Sequence, residues 1–91
     1  MTFKVLLHKK ASKSLEKLGA ETRKRMTDSL RELENFPNVK LDIIKIAGEE
    51  NTFRLRLGKL RALFKVYNEE KVIVVIKLDF RRRIYRSRTH L

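Results

Sequence analysis

Residues 51–66, NTFRLRLGKLRALFKV, carry arginines at spacings that phosphate chemistry could use. Phe53, Leu55 and Leu57 alternate with Arg54 and Arg56, the period-2 pattern of a half-buried strand. Gly58 and Lys59 then read as a two-residue loop. Glycine at its first position suits a type II′ turn, because glycine accepts positive φ at little cost. That turn sets Leu57 against Leu60, Leu55 against Ala62 and Phe53 against Phe64 on one face of a sheet. The other face receives Arg54, Arg56 and Arg61, with Arg56 directly opposite Arg61. Like charges placed opposite each other destabilise a hairpin, which points to an anionic partner. The simpler reading is that the arginines only solvate the outer face. Guanidiniums grip phosphate with paired hydrogen bonds and can stabilise a charge-rich transition state.

More basic residues lie further along. Residues 81–91, RRRIYRSRTHL, hold five arginines and one tyrosine, a run that fits either a nucleic-acid-binding arm or a solvated terminus. The register of the strand within residues 71–80 against the one before it is open. An even-length loop at residues 68–70 brings Arg82 to the arginine face; an odd-length loop brings Lys77 and Arg81 there. Only two histidines are present, His8 beside two lysines and His90, and neither is assigned as a general base. There is no cysteine, which excludes thiolate catalysis, disulfides and zinc sites of the Cys type. Glycine-rich phosphate loops, His/Asp/Glu metal spacings and Ser–His–Asp sets are missing from the sequence, so no metal or cofactor is expected.

The elements that must position these residues follow from periodicity. Residues 2–7 read as a first strand. Ala11, Leu15 and Leu18, and then Met26, Leu30 and Leu33, recur at i, i+4 and i+7, one narrow apolar stripe on each of two helices. Gly19 is the expected residue just past the first helix, the second starts near Glu21, and Pro37 stops it. A short helical hairpin results, with stripes that fit the apolar face of the sheet. Residues 38–51 suggest a short extended segment and a turn, and Val72 to Ile76 is apolar on both sides, as in the middle of a sheet. At 91 residues the chain reads as one small domain. Its formal net charge is +12, with 23 Lys and Arg against 11 Asp and Glu. That imbalance implies a polyanion, and a thermophile-type surface would instead raise glutamate alongside lysine. No apolar run approaches the ~20 residues of a membrane span. The apolar block at residues 3–7 is too short for a signal-peptide core, so a cytoplasmic protein with no membrane partner is expected.

The helical hairpin, Lys45-Ile46-Ala47-Gly48, FRLRLGKLRALFKV, and an apolar strand running into basic residues and Ile84-Tyr85 occur in that order. Together they resemble the RelE/ParE superfamily of small toxins from toxin–antitoxin pairs, the RelE branch most closely, over nearly the whole chain. The resemblance implies an α+β fold: a small twisted antiparallel sheet with an N-terminal helical hairpin packed on one face. It also implies a ribosome-dependent endonuclease that cuts messenger RNA in the A site, and an acidic RelB-like antitoxin that silences it. No small-molecule substrate is implied. Carried over residue by residue, Arg54 and Arg56 match the family's basic strand pair, and Arg61 matches the basic residue opening the next strand. Arg81 matches the basic residue after the last strand, with Arg82 a close competitor, and Tyr85 matches a C-terminal tyrosine that some members use in catalysis. Phe53 and Leu60 stand where the family often has aromatic hydroxyls or rings, and Ala47 interrupts a basic turn.

RNA cleavage without a metal requires that the 2′-hydroxyl lose a proton, the phosphorus accept charge and the 5′-oxygen gain a proton. Arginine is a poor base, because its pKa is too high for deprotonation. The catalytic candidates are therefore Arg54, Arg61 and Arg81 as a phosphate clamp, with Tyr85 handling the proton among cations that make its phenol more acidic. Arg56, Lys77, Arg82 and Arg83 are the candidate substrate-binding residues. The ribosome would supply in-line geometry, so little cleavage of free RNA is expected. Two alternatives remain: a ParE-like, non-enzymatic inhibitor of DNA gyrase, or a plain basic nucleic-acid-binding domain.

Overall fold

The computed structural model describes residues 2–80, and the candidates Arg81, Arg82, Arg83 and Tyr85 lie outside them. Strand β1 (Lys4–Leu7) leads into helices α1 (Lys9–Glu16) and α2 (Ala20–Glu32) and a 3-10 turn at Leu33–Asn35. Strands β2 (Asp42–Lys45), β3 (Thr52–Leu57), β4 (Leu60–Tyr67) and β5 (Val72–Phe80) follow. They form one sheet in the order β1-β5-β4-β3-β2, so β4 is its middle strand.

The helices cover one face. Ala11, Met26, Leu30 and Leu33 meet Leu55, Leu60, Ala62, Phe64, Val66, Ile73, Val75 and Leu78 in a single buried cluster. Phe36, Phe53 and Phe64 pack as a triad, with ring centroids 5.1 to 5.6 Å apart. His8 caps α1, its Nδ1 accepting from the Lys10 backbone N–H at 3.2 Å.

Gly19 does not close α1. Its φ of −60° and ψ of 154° are extended, and it is the N-cap of α2. The chain turns one residue pair earlier, where the Lys17 N–H bonds to the carbonyls of Lys13 and Ser14. The Arg23 side chain then reaches back to the Glu16 carbonyl at 3.3 Å, satisfying a terminal acceptor of α1 from α2.

Strands β2 to β5 form the expected antiparallel meander, but β5 returns beside β1 and runs parallel to it. The sheet is therefore mixed at one edge. Alternating hydrophobicity specifies which face a residue takes, and it carries no information about strand direction.

The β3–β4 hairpin has the register expected from its turn: Leu57 opposite Leu60, Arg56 opposite Arg61, Leu55 opposite Ala62 and Phe53 opposite Phe64. Gly58 has φ +60°, whereas Lys59 does not take positive φ, as a type II′ turn requires. Gly58→Ala is expected to lower stability by about 1–2 kcal/mol, the cost of forcing an L side chain into that region, read as a lower urea midpoint at unchanged slope.

The β4–β5 pairing combines both alternatives left open above. Tyr67 pairs with Val72, an even loop, which alone would send Arg82 toward the arginine face. Between Leu63 and Phe64 the register shifts, because Phe64 pairs with Val75 while Leu63 pairs with Lys77. Ile76 is the extra residue of this bulge and is exposed. The bulge reverses the alternation, so Lys77 joins the arginine face after all.

Candidate phosphate-binding face

The face of the sheet opposite the helices is built in rows, one residue from each neighbouring strand. The row nearest the hairpin turn reads Asp42, Arg56, Arg61, Asp79. The next reads Ile44, Arg54, Leu63, Lys77. Thus Arg54, Arg56, Arg61 and Lys77 are brought together.

Arg61 is the anchored member. Its side chain is only 6% exposed, an uncommon position for a guanidinium. Its Nη1 donates to the carbonyls of Gly58 at 2.8 Å and Leu60 at 2.9 Å. The tight turn thus supplies the acceptors that hold the fork in place before any ligand arrives. A donor fixed in advance does not have to reorganise when charge develops on a phosphate. Arg54 is half-buried one row further in, and Arg56 is exposed at the rim.

Asp42 and Asp79 are the functional neighbours that sequence reasoning missed. Asp42 forms an ion pair with Arg56 across the β2–β3 ladder. Asp79 lies beside Arg61 on β5, with one carboxylate oxygen accepting from the Phe80 N–H at 2.8 Å. The opposed arginines are therefore bracketed by carboxylates, and the row as a whole is formally neutral. This removes the argument that facing arginines by themselves demand an external anion. The charge excess of the face comes instead from the rows further in. Asp79 was legible only as an acid two residues after Lys77, on a strand whose phase the bulge reverses.

The Arg56–Asp42 pair is a surface contact, with side chains 60% and 45% exposed, so it adds at most about 1 kcal/mol. Asp42→Asn is expected to leave stability nearly unchanged. It should tighten binding of single-stranded RNA and steepen the slope of log affinity against log salt by about 0.7, measured by fluorescence titration at several salt concentrations. Among the described residues, no cluster of His, Cys, Asp and Glu is disposed to hold a metal ion, and no helix is long and apolar enough to cross a membrane.

Comparison with known proteins agrees with this architecture. A chain of the archaeal RelE–RelB complex from Pyrococcus horikoshii is 34% identical, with a TM-score of 0.76 over 89% of this chain and 97% of that one. A chain of the RelB–RelE antitoxin–toxin complex from Methanococcus jannaschii is 31% identical, with a TM-score of 0.77 over 90% and 96%. The RelE1 protein of Methanocaldococcus jannaschii is 28% identical over 89 residues, 96% of this chain and 99% of its own. The sequence profile described as ParE toxin of type II toxin–antitoxin system, parDE, matches residues 5–85. With that match spanning most of the chain, and with the mixed sheet, the two helices and the arginine-bearing hairpin in place, the protein belongs to the RelE/ParE superfamily as a toxin of a type II toxin–antitoxin system.

Proposed function

We propose that this toxin is a cytoplasmic, ribosome-dependent endoribonuclease that cuts messenger RNA in the A site without a metal ion. The observation that carries the reading is the pre-set Arg61 guanidinium, held by the hairpin turn on the face it shares with Arg54, Arg56 and Lys77. Arg61 and Arg54 clamp the scissile phosphate and offset the charge that builds on its oxygens. Arg56 and Lys77 hold flanking phosphates. Arg81, Arg82, Arg83 and Tyr85 follow β5 in the chain: Arg81 extends the clamp, Arg82 and Arg83 bind substrate, and the Tyr85 phenol handles the proton. In the step itself, the 2′-hydroxyl gives up its proton and its oxygen bonds to phosphorus. The bond from phosphorus to the 5′-oxygen breaks, and that oxygen takes a proton. The ribosome fixes the in-line geometry.

An acidic RelB-like antitoxin is the proposed partner. The two archaeal relatives were each solved with RelB, and the +12 charge of this chain suits an acidic, partly disordered segment that folds on binding. The test is a ribosome complex stalled with a codon in the A site, incubated with the toxin and mapped by primer extension. A cut inside that codon supports the proposal, and an intact message overturns it. The matching profile is that of ParE toxins, which favours gyrase inhibition as the second reading. A gyrase cleavage assay on the same preparation separates the two.

A further inference from the structure

The open face does not end at the arginines. Along β4, the residues on that face are Arg61, Leu63, Lys65 and Tyr67 in succession. The row through Lys65 reads Thr52, Lys65, Val74, Leu6, and the row through Tyr67 reads Tyr67, Val72, Lys4. Neither row contains a carboxylate, unlike the row of Arg56 and Arg61. The acids flanking these rows in the chain, Glu50 before Thr52 and Glu69 and Glu70 after Tyr67, lie outside the strands.

Tyr67 is 41% exposed, which leaves much of a large ring in water at the end of the middle strand. The Lys65 ammonium stands 5.6 Å from its ring centroid, within the range at which a cation is held by an aromatic face. Val72 lies beside the ring in the ladder, and Lys4 lies beyond Val72. An exposed aromatic ring with lysines around it, in line with Arg61 on one strand, is the composition of a single-stranded nucleic-acid track, in which rings stack on bases and cations follow the backbone. The helical-side aromatics Phe36, Phe53 and Phe64 are spent on the core, whereas Tyr67 contributes nothing to that cluster.

We infer that Lys65 and Tyr67 form a stacking platform for a base of single-stranded RNA, separate from the phosphate held at Arg61. Six residues of strand place the platform about 20 Å from Arg61. At the ~3.4 Å spacing of stacked nucleotides this is at most about six nucleotides, and fewer for an extended strand. Lys65 and Lys4 meet the phosphates on either side of the stacked base. This rests on the reading of the open face as an RNA surface, but it makes a claim of its own about length and about the ring.

The test is titration of the full chain with labelled oligoribonucleotides of three and nine nucleotides at one fixed salt concentration. The nine-nucleotide strand should bind tighter than the three-nucleotide strand. Tyr67→Thr keeps a β-favouring residue at an exposed site and removes the ring. It is expected to weaken the longer strand by about 5- to 100-fold. Tyr67→Phe should stay within about twofold of the parent, because the ring and not the hydroxyl does the stacking. Equal affinities for Tyr67→Thr and the parent would overturn the platform, as would a Tyr67→Phe loss as large as that of Tyr67→Thr. Circular dichroism of each variant ensures that the folded protein is compared. An intact message in the ribosome assay, together with a weakened nine-nucleotide strand here, would remove the cleavage reading and leave the platform standing.

Discussion

Arg61→Ala is expected to lower A-site cleavage by about 100- to 1,000-fold, the usual cost of removing one fixed donor from a developing anion. The size of the effect comes from preorganisation. The Arg61 guanidinium is nearly buried and already tied to the Gly58 and Leu60 carbonyls, so its donors are fixed before charge develops on the phosphate. Its removal leaves the part-buried Gly58 carbonyl and the buried Leu60 carbonyl without this donor, so a loss of stability of about 1–3 kcal/mol should accompany it. Urea unfolding of the same preparation separates the two effects: the loss of activity should far exceed the loss of folded protein. Arg61→Lys keeps the charge and loses the planar fork, and should recover only part of the rate. Full activity in Arg61→Ala would show that the clamp lies elsewhere on the chain.

Phe64→Ala is the substitution expected to damage the fold most. Phe64 is fully buried, stacks on Phe53 at 5.5 Å and meets Phe36 edge-on at 5.6 Å. It also sits where the β4–β5 register shifts, so the same side chain that fills the core borders the bulge. Truncation removes the ring and leaves a cavity between sheet and helices, at a cost of about 3–5 kcal/mol. A domain of this length is stable by roughly 5–14 kcal/mol in total, so the variant should be partly unfolded at modest urea concentrations. Phe64→Leu, which keeps most of the volume, should lose much less. Equilibrium unfolding followed by circular dichroism reads both. If Phe64→Ala unfolded at the parent's midpoint, the triad would not be the centre of the core. The damage should extend to function, because the bulge beside Phe64 is what carries Lys77 onto the arginine face.

Much of this protein was determined by local sequence. The hairpin register, and with it the grouping of Arg54, Arg56 and Arg61, follows from a two-residue turn with glycine first, because turn length fixes which residues face each other. The helical stripes at Ala11 and Leu15 and at Met26, Leu30 and Leu33 follow from a repeat near 3.6 residues, and these side chains do pack on the sheet. Tertiary structure alone decided the rest. The run from Val72 to Ile76 is apolar on both faces, so it contains no phase from which the bulge could be read, and packing selects the register. The direction of β1 depends on where the meander returns, which no single strand encodes. Asp42 and Asp79 come beside Arg56 and Arg61 through two separate ladders, one set after an irregular turn and the other after the bulge. The sequence thus determined which arginines share a face. Tyr67 follows Arg61 onto that face by alternation along one strand, whereas how the charge is balanced, and that Lys77 shares the surface, depended on contacts between strands whose pairing has no local signal.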